Sequence, residues 1–202
     1  MMMRQSMLVP LILAATVMIN GCASPEPRYF TLAAGSSDTA TTVPAGISRT
    51  LAPRWIEVMP VRVPERMNRA QLMVRDGSGG GVKLLETSRW TSPLPDELRD
   101  ALSQHLQSSL DAVDIYQHGL PATTPAVRVT AEVVMLDADV GKQAAATIAW
   151  TVRRLPDGKI LSGRTEAEVS APGQVDGVVN AYRQILAVTA ADIASSMLAL
   201  ER

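Results

Sequence analysis

One thiol and two imidazoles are the side chains in this sequence with the sharpest intrinsic chemistry. The thiol belongs to Cys22, the sole cysteine, which follows Ile19-Asn20-Gly21. A thiol is the best side-chain nucleophile near neutral pH, and so the natural acceptor for an alkyl or acyl group. The histidines are His105 and His118, with no His or Cys at ligand spacing beside either, so no zinc site is expected. No Gly-x-Ser-x-Gly elbow marks a hydrolase. The run Asp76-Gly77-Ser78-Gly79-Gly80-Gly81 has the glycines of a phosphate loop but lacks the Lys-Ser/Thr that opens a helix. Val82-Lys83-Leu84-Leu85 continues as a strand instead, so the run reads as a flexible hairpin. Catalytic residues, metals and cofactors are not expected.

The surroundings of Cys22 give its thiol a role. Arg4 precedes an apolar run from Met7 to Ile19, interrupted by Pro10 and Thr16, and small residues lead to the cysteine. A basic start, an apolar stretch of this length and small residues before a cut describe an export signal. The run is too short to span a bilayer, which takes about 20 apolar residues. Ile19-Asn20-Gly21-Cys22 resembles a bacterial lipobox. That resemblance implies cleavage after Gly21 and a Cys22 that is both S-diacylglycerol- and N-palmitoyl-modified. One acyl chain holds a protein marginally at a membrane, whereas two or three hold it stably. The organisation expected is a removed signal (1–21), a lipidated tether (22–28) and a single periplasmic α+β domain (29–202). Ala23, rather than Asp, follows the cysteine. By resemblance to the enterobacterial sorting rule, this places the protein on the outer membrane, lipid-anchored at its periplasmic face.

Composition narrows the rest. Lys and Arg number 19 against 20 Asp and Glu, for a net charge of −1, and the basic residues are scattered, which argues against nucleic acid as a partner. With Cys22 acylated no disulfide can form, so packing must supply the stability. Beyond the signal, no segment is expected to be long and apolar enough to cross a membrane.

Periodicity then places the elements. Arg28–Leu32 and Trp55–Val63 alternate as strands, with Pro60 marking an edge or an end. Residues 33–48 lack a period and read as a loop. Gln71–Arg75 and Val82–Trp90 form the glycine-linked hairpin. Pro93 to about Ala112 is a helix, with a starting proline, acids in the first turn and a stripe of Leu98, Leu102, Leu106 and Leu110, Ala101 and Ser109 beside it. Asp111–Tyr116 leads into a loop through Pro125. Val127–Leu136, Ala144–Leu155 and Lys159–Val169 form a meander, Asp157-Gly158 turning its second hairpin. Val175–Leu200 is a second long helix, with Val178, Tyr182, Ile185, Leu186, Thr189, Ile193 and Met197 on one face. The fold expected is α+β: a mostly antiparallel sheet with two long helices packed on one face, a two-layer sandwich.

The lipobox, Arg28-Tyr29-Phe30-Thr31-Leu32, Ile56-Glu57-Val58-Met59-Pro60-Val61, and Ser88-Arg89-Trp90 with Pro93-Leu94 together resemble the PqiC (YmbA) family of ABC-type transport auxiliary lipoproteins, also described as membrane-integrity-associated transporter subunits. The resemblance runs over nearly all of the chain after Cys22. It implies a non-enzymatic outer-membrane adaptor that docks as a homo-oligomeric ring on a periplasmic tunnel of MCE-domain subunits, with an inner-membrane permease and lipid as cargo. Two alternatives remain open: a lipid-binding periplasmic carrier lipoprotein, and a lipid-tethered periplasmic hydrolase. Arg89 and Trp90 are candidate partner-interface residues, since both types are enriched at interface centres. The competing reading makes Trp90 a strand-end core residue over the first helix.

Overall fold

The computed structural model describes residues 25–33, 54–77, 80–118, 126–155 and 157–200. Cys22 and its lipobox, nearly all of the 33–48 loop and the segment 119–125 lie outside them. The strands are β1 (Arg28–Phe30), β2 (Arg54–Val58), β3 (Gln71–Asp76), β4 (Gly81–Trp90), β5 (Ala112–Asp114), β6 (Ala126–Asp139), β7 (Gln143–Arg154) and β8 (Ile160–Ser170). The helices are α1 (Leu94–Leu110), the single turn α2 (Ile115–His118) and α3 (Val175–Leu200).

The α+β class and the mostly antiparallel pairing stand as expected, and the strands divide between two sheets. One has the order β1-β4-β3 and the other β5-β2-β6-β7-β8. The long hairpins β3–β4, β6–β7 and β7–β8 are antiparallel, while the short strands β1, β2 and β5 join as parallel neighbours. Parallel neighbours cannot be closed by tight turns. These pairings therefore form across long sequence separations that no local pattern announces.

The meander β6–β7–β8 is built from alternation. Along β7 every second residue from Ala144 to Val152 is buried, and these face α3. All seven residues expected on the buried face of α3 are buried, and each large one adds about 1.5–3 kcal/mol on leaving water. By length and composition α3 could cross a membrane, contrary to expectation. That apolar character is used in packing against β7, β8 and α1. In β6 the alternation stops where a bulge between Val133 and Met135 shifts the register, leaving Val134 and Met135 exposed. The β7–β8 turn uses Gly158 at φ +71°, and Arg154 donates hydrogen bonds to Asp157, holding that carboxyl below the usual carboxylate range. Gly163 lies against the Trp150 ring, where a Cβ would come within 2.3 Å of it. The Trp150 indole N–H donates to Thr165 (3.1 Å), whose hydroxyl donates to Asp192 (2.6 Å), tying β7, β8 and α3 together.

In α1, Leu98, Leu102 and Leu106 are buried as expected, with Leu110 half-buried and Ser109 exposed. Two charged residues, Glu97 and Arg99, are buried as well. Arg99 donates to Asp114 of β5 (2.5 Å), to the Val58 carbonyl at the end of β2 (3.2 Å) and to Asp100 (2.9 Å). It also stacks over the Tyr116 ring. Asp114, with no exposed surface, further accepts the Ser103 hydroxyl (2.6 Å) and the backbone N–H groups of Val58 and Tyr116. The stretch from Asp111 that was expected only to lead into a loop is thus β5 and α2, fixed by this carboxylate. A three-residue strand is too short for alternation to reveal.

Removing one partner of a buried ion pair strands the other. We therefore expect Asp114→Ala to lower unfolding stability by about 3–5 kcal/mol in denaturant titrations. Arg62→Ala, which breaks the exposed Arg62–Glu132 pair, should cost less than about 1 kcal/mol. Equal losses would contradict the burial argument.

Candidate functional site: the junction of tether and body

The chain leaving residue 25 enters the body through β1. Three residues of strand hold little by themselves, so this junction depends on what grips it. β1 lies parallel to the end of β4, with Tyr29 opposite Arg89 and Phe30 opposite Trp90. Two of the sequence pieces that carried the family resemblance are therefore neighbours in space.

Glu97 joins them. Its side chain is buried on the first turn of α1, and one carboxylate oxygen accepts the Leu32 N–H (2.7 Å) and the Thr31 hydroxyl (2.8 Å). The other accepts the Ser92 N–H (3.0 Å) and the Thr91 hydroxyl (2.6 Å). A carboxylate with four donors is compensated for its loss of water. It sews the end of β1 to the β4–α1 turn. Three further bonds add to the seam: Thr91 N–H to the Phe30 carbonyl (2.9 Å), Arg183 of α3 to the Thr31 carbonyl (2.9 Å), and Arg28 to Asp176 at the start of α3 (3.1 Å). Thus β1 is fastened to β4 and to both long helices.

Of the candidate interface pair, Trp90 is buried, 6% exposed, facing Met67, Met73, Leu94, Leu136 and Tyr182. The indole is a core group, as a strand end over α1 would have it. Arg89 is half-buried, donates to the Glu86 carbonyl (3.3 Å) and stands beside the exposed Tyr29. Surface chemistry at this junction is therefore carried by Tyr29 and Arg89, not by Trp90. Tyr29 was overlooked in the sequence because β1 read only as alternation. His105 is half-buried on α1, where burial lowers its pKa, and the His118 side chain is outside the described atoms. Among the described residues no group of His, Cys, Asp and Glu could hold a metal.

A second feature was not visible in the sequence. Between the β3–β4 hairpin and β6 runs an apolar groove of about 640 Å³, lined by Met67, Met73, Val82, Met135 and Leu136. Arg66 and Arg75 stand at its rim, Arg75 paired with Asp137. The β6 bulge opens it by turning Met135 outward.

We expect Glu97→Ala to release β1. Backbone hydrogen exchange should lose protection at Leu32 and through Arg28–Phe30, with a stability loss of at least about 2 kcal/mol. Unchanged protection there would show that β1 is held by something else.

The family model described as the ABC-type transport auxiliary lipoprotein component matches residues 30–194. The fold is similar to the crystal structure of an uncharacterized protein at 18% identity, covering 86% of this chain and 99% of that one, with a TM-score of 0.66. It is also similar to a Xanthomonas campestris protein of family DUF330 at 14% identity, covering 71% and 82% of the two chains, with a TM-score of 0.50. No curated protein matches the sequence. A family match over residues 30–194, from the end of the clamped strand into the last helix, settles the membership: the chain belongs to the ABC-type transport auxiliary lipoproteins.

Proposed function

We propose that this lipoprotein is the outer-membrane adaptor of an MCE-type intermembrane lipid transport system, anchored through Cys22 and acting without catalysis of its own. The observation that carries this reading is the clamp on β1. Two segments that carry the family resemblance, Arg28–Leu32 and Ser88–Trp90, meet where the strand that follows Cys22 is fastened. Residues 22–28 can extend roughly 20 Å at most, so a body gripped at β1 is held close to the membrane surface. A protein so placed suits the task of seating and sealing the end of a periplasmic tunnel. Tyr29 and Arg89, beside the tether, are the surface residues best placed to meet the membrane or the tunnel subunit.

The groove favours a second reading, in which the domain itself holds an acyl chain. Its volume lies within the usual range for ligand sites, and its methionines offer an adaptable apolar lining. Arg66 at the rim supplies a cation for a headgroup.

The adaptor reading is tested by cross-linking in cells followed by purification of this protein. We expect capture of an MCE-domain protein, and greater sensitivity to detergents on deletion of the gene. Repeated capture without any MCE partner would overturn it. Stoichiometric phospholipid on the purified protein, lost in Met73→Glu, would favour the carrier reading.

A further inference from the structure

Pairing across the β3–β4 hairpin sets Met73 opposite Leu84 and Arg75 opposite Val82. Successive strand residues point to opposite faces, so these four share one face. The other face carries Leu72 and Val74, both buried. On the first face Val82 is 64% exposed and Leu84 38%, and Met135, across the groove on β6, is 39% exposed. Three large apolar side chains thus stand in water around an apolar groove. A patch of this kind with a polar rim marks contact with a partner or a membrane. Here the rim holds Arg66, and Lys83 stands between Val82 and Leu84; both are exposed, and neither pairs with a carboxylate among the described residues. Asp137 is taken up by Arg75, which leaves Asp76 at the turn against these two cations.

The tether approaches from the same end. β1 runs parallel to β4 with Arg28 opposite Ser88, so the residues before Arg28 come from the side where β4 begins, that of the glycine turn. Pro25 and Pro27 disfavour helix there and favour an extended approach. From Arg28 back to Cys22 is six residues, and from Ser88 back to Val82 is six, roughly 20 Å at most in either case. A bilayer that holds the Cys22 lipid is therefore within reach of Val82 and Leu84. Ile160 is 56% exposed but lies by the β7–β8 turn, at the far end of α3 from Arg28. The 26 residues of α3 put about 39 Å between those ends.

We propose that the β3–β4 hairpin is a membrane-docking surface, its occupant the phospholipid bilayer that carries the anchor. Val82 and Leu84 enter the interface with Met135 beside them, and Arg66 and Lys83 reach the phosphate groups. This inference rests on the anchoring reading and goes beyond it. The anchor fixes where the body is; the hairpin fixes which face it turns to the bilayer.

With Cys22 acylated, a single introduced cysteine can be labelled alone. Val82→Cys, Leu84→Cys and Ile160→Cys, each carrying a nitrobenzoxadiazole dye, are compared in the full lipidated chain. The vesicles contain phosphatidylethanolamine and phosphatidylglycerol. At positions 82 and 84 the emission should shift to the blue and be quenched by brominated lipid, while position 160 should stay in water. Adding Arg66→Glu and Lys83→Glu should remove most of the quenching at position 84. Acylated protein with positions 82 and 84 as wet as 160, or with quenching untouched by the charge changes, would overturn the proposal and leave the anchor standing. Quenching that survives transfer to unbrominated vesicles would show a lipid retained in the groove, and would overturn it too. An intact mass without acyl groups would remove the anchor, and the proposal with it.

Discussion

Two buried charges, one residue between them on the first turns of α1, hold this molecule together. Glu97 gathers donors from β1 and from the β4–α1 turn, which belong to the three-stranded sheet and its exit. Arg99 reaches Asp114 and the Val58 carbonyl, at the ends of β5 and β2 in the five-stranded sheet. One helix thereby fixes both sheets through groups that have given up water and must be fully partnered. The apolar stripe of α1 supplies the adhesion. The two charges supply the geometry, because each is satisfied in a single arrangement of segments distant in sequence.

That arrangement links the fold to the role. A lipid-anchored domain is held at its N-terminal end, where a three-residue strand would fray without support. Here that strand is bonded to β4, to α1 through Glu97 and to α3 through Arg183 and Asp176. On the proposed reading, a short tether leading into this firmly held strand would let the clamp set the body's orientation at the membrane. The proposed adaptor role needs that property.

Much of this was legible in the sequence, where periods are local. The α3 stripe from Val178 to Met197, the Asp157-Gly158 turn and the glycine hairpin could all be read from spacing. In the sequence Glu97 reads only as a first-turn acid and Arg99 carries no reading, and the structure buries both. A signal for Glu97 existed: it stands three residues after Leu94 and beside Leu98, on the apolar side of the helix. Nothing local marks Arg99, whose partner Asp114 lies beyond the helix in a strand too short to show a pattern. The division into two sheets was hidden for a similar reason, since it depends on parallel pairings of β1 with β4 and of β2 with β5. Trp90 is an instance of an interface-prone residue type used in a core.

The account as a whole requires that the clamped strand be led from a lipid. The intact mass of the native protein, taken from purified outer membranes, measures this directly. The expected value is that of residues 22–202 plus a diacylglycerol and one further acyl chain. A chain without acyl groups, recovered from the soluble periplasmic fraction, would contradict the account.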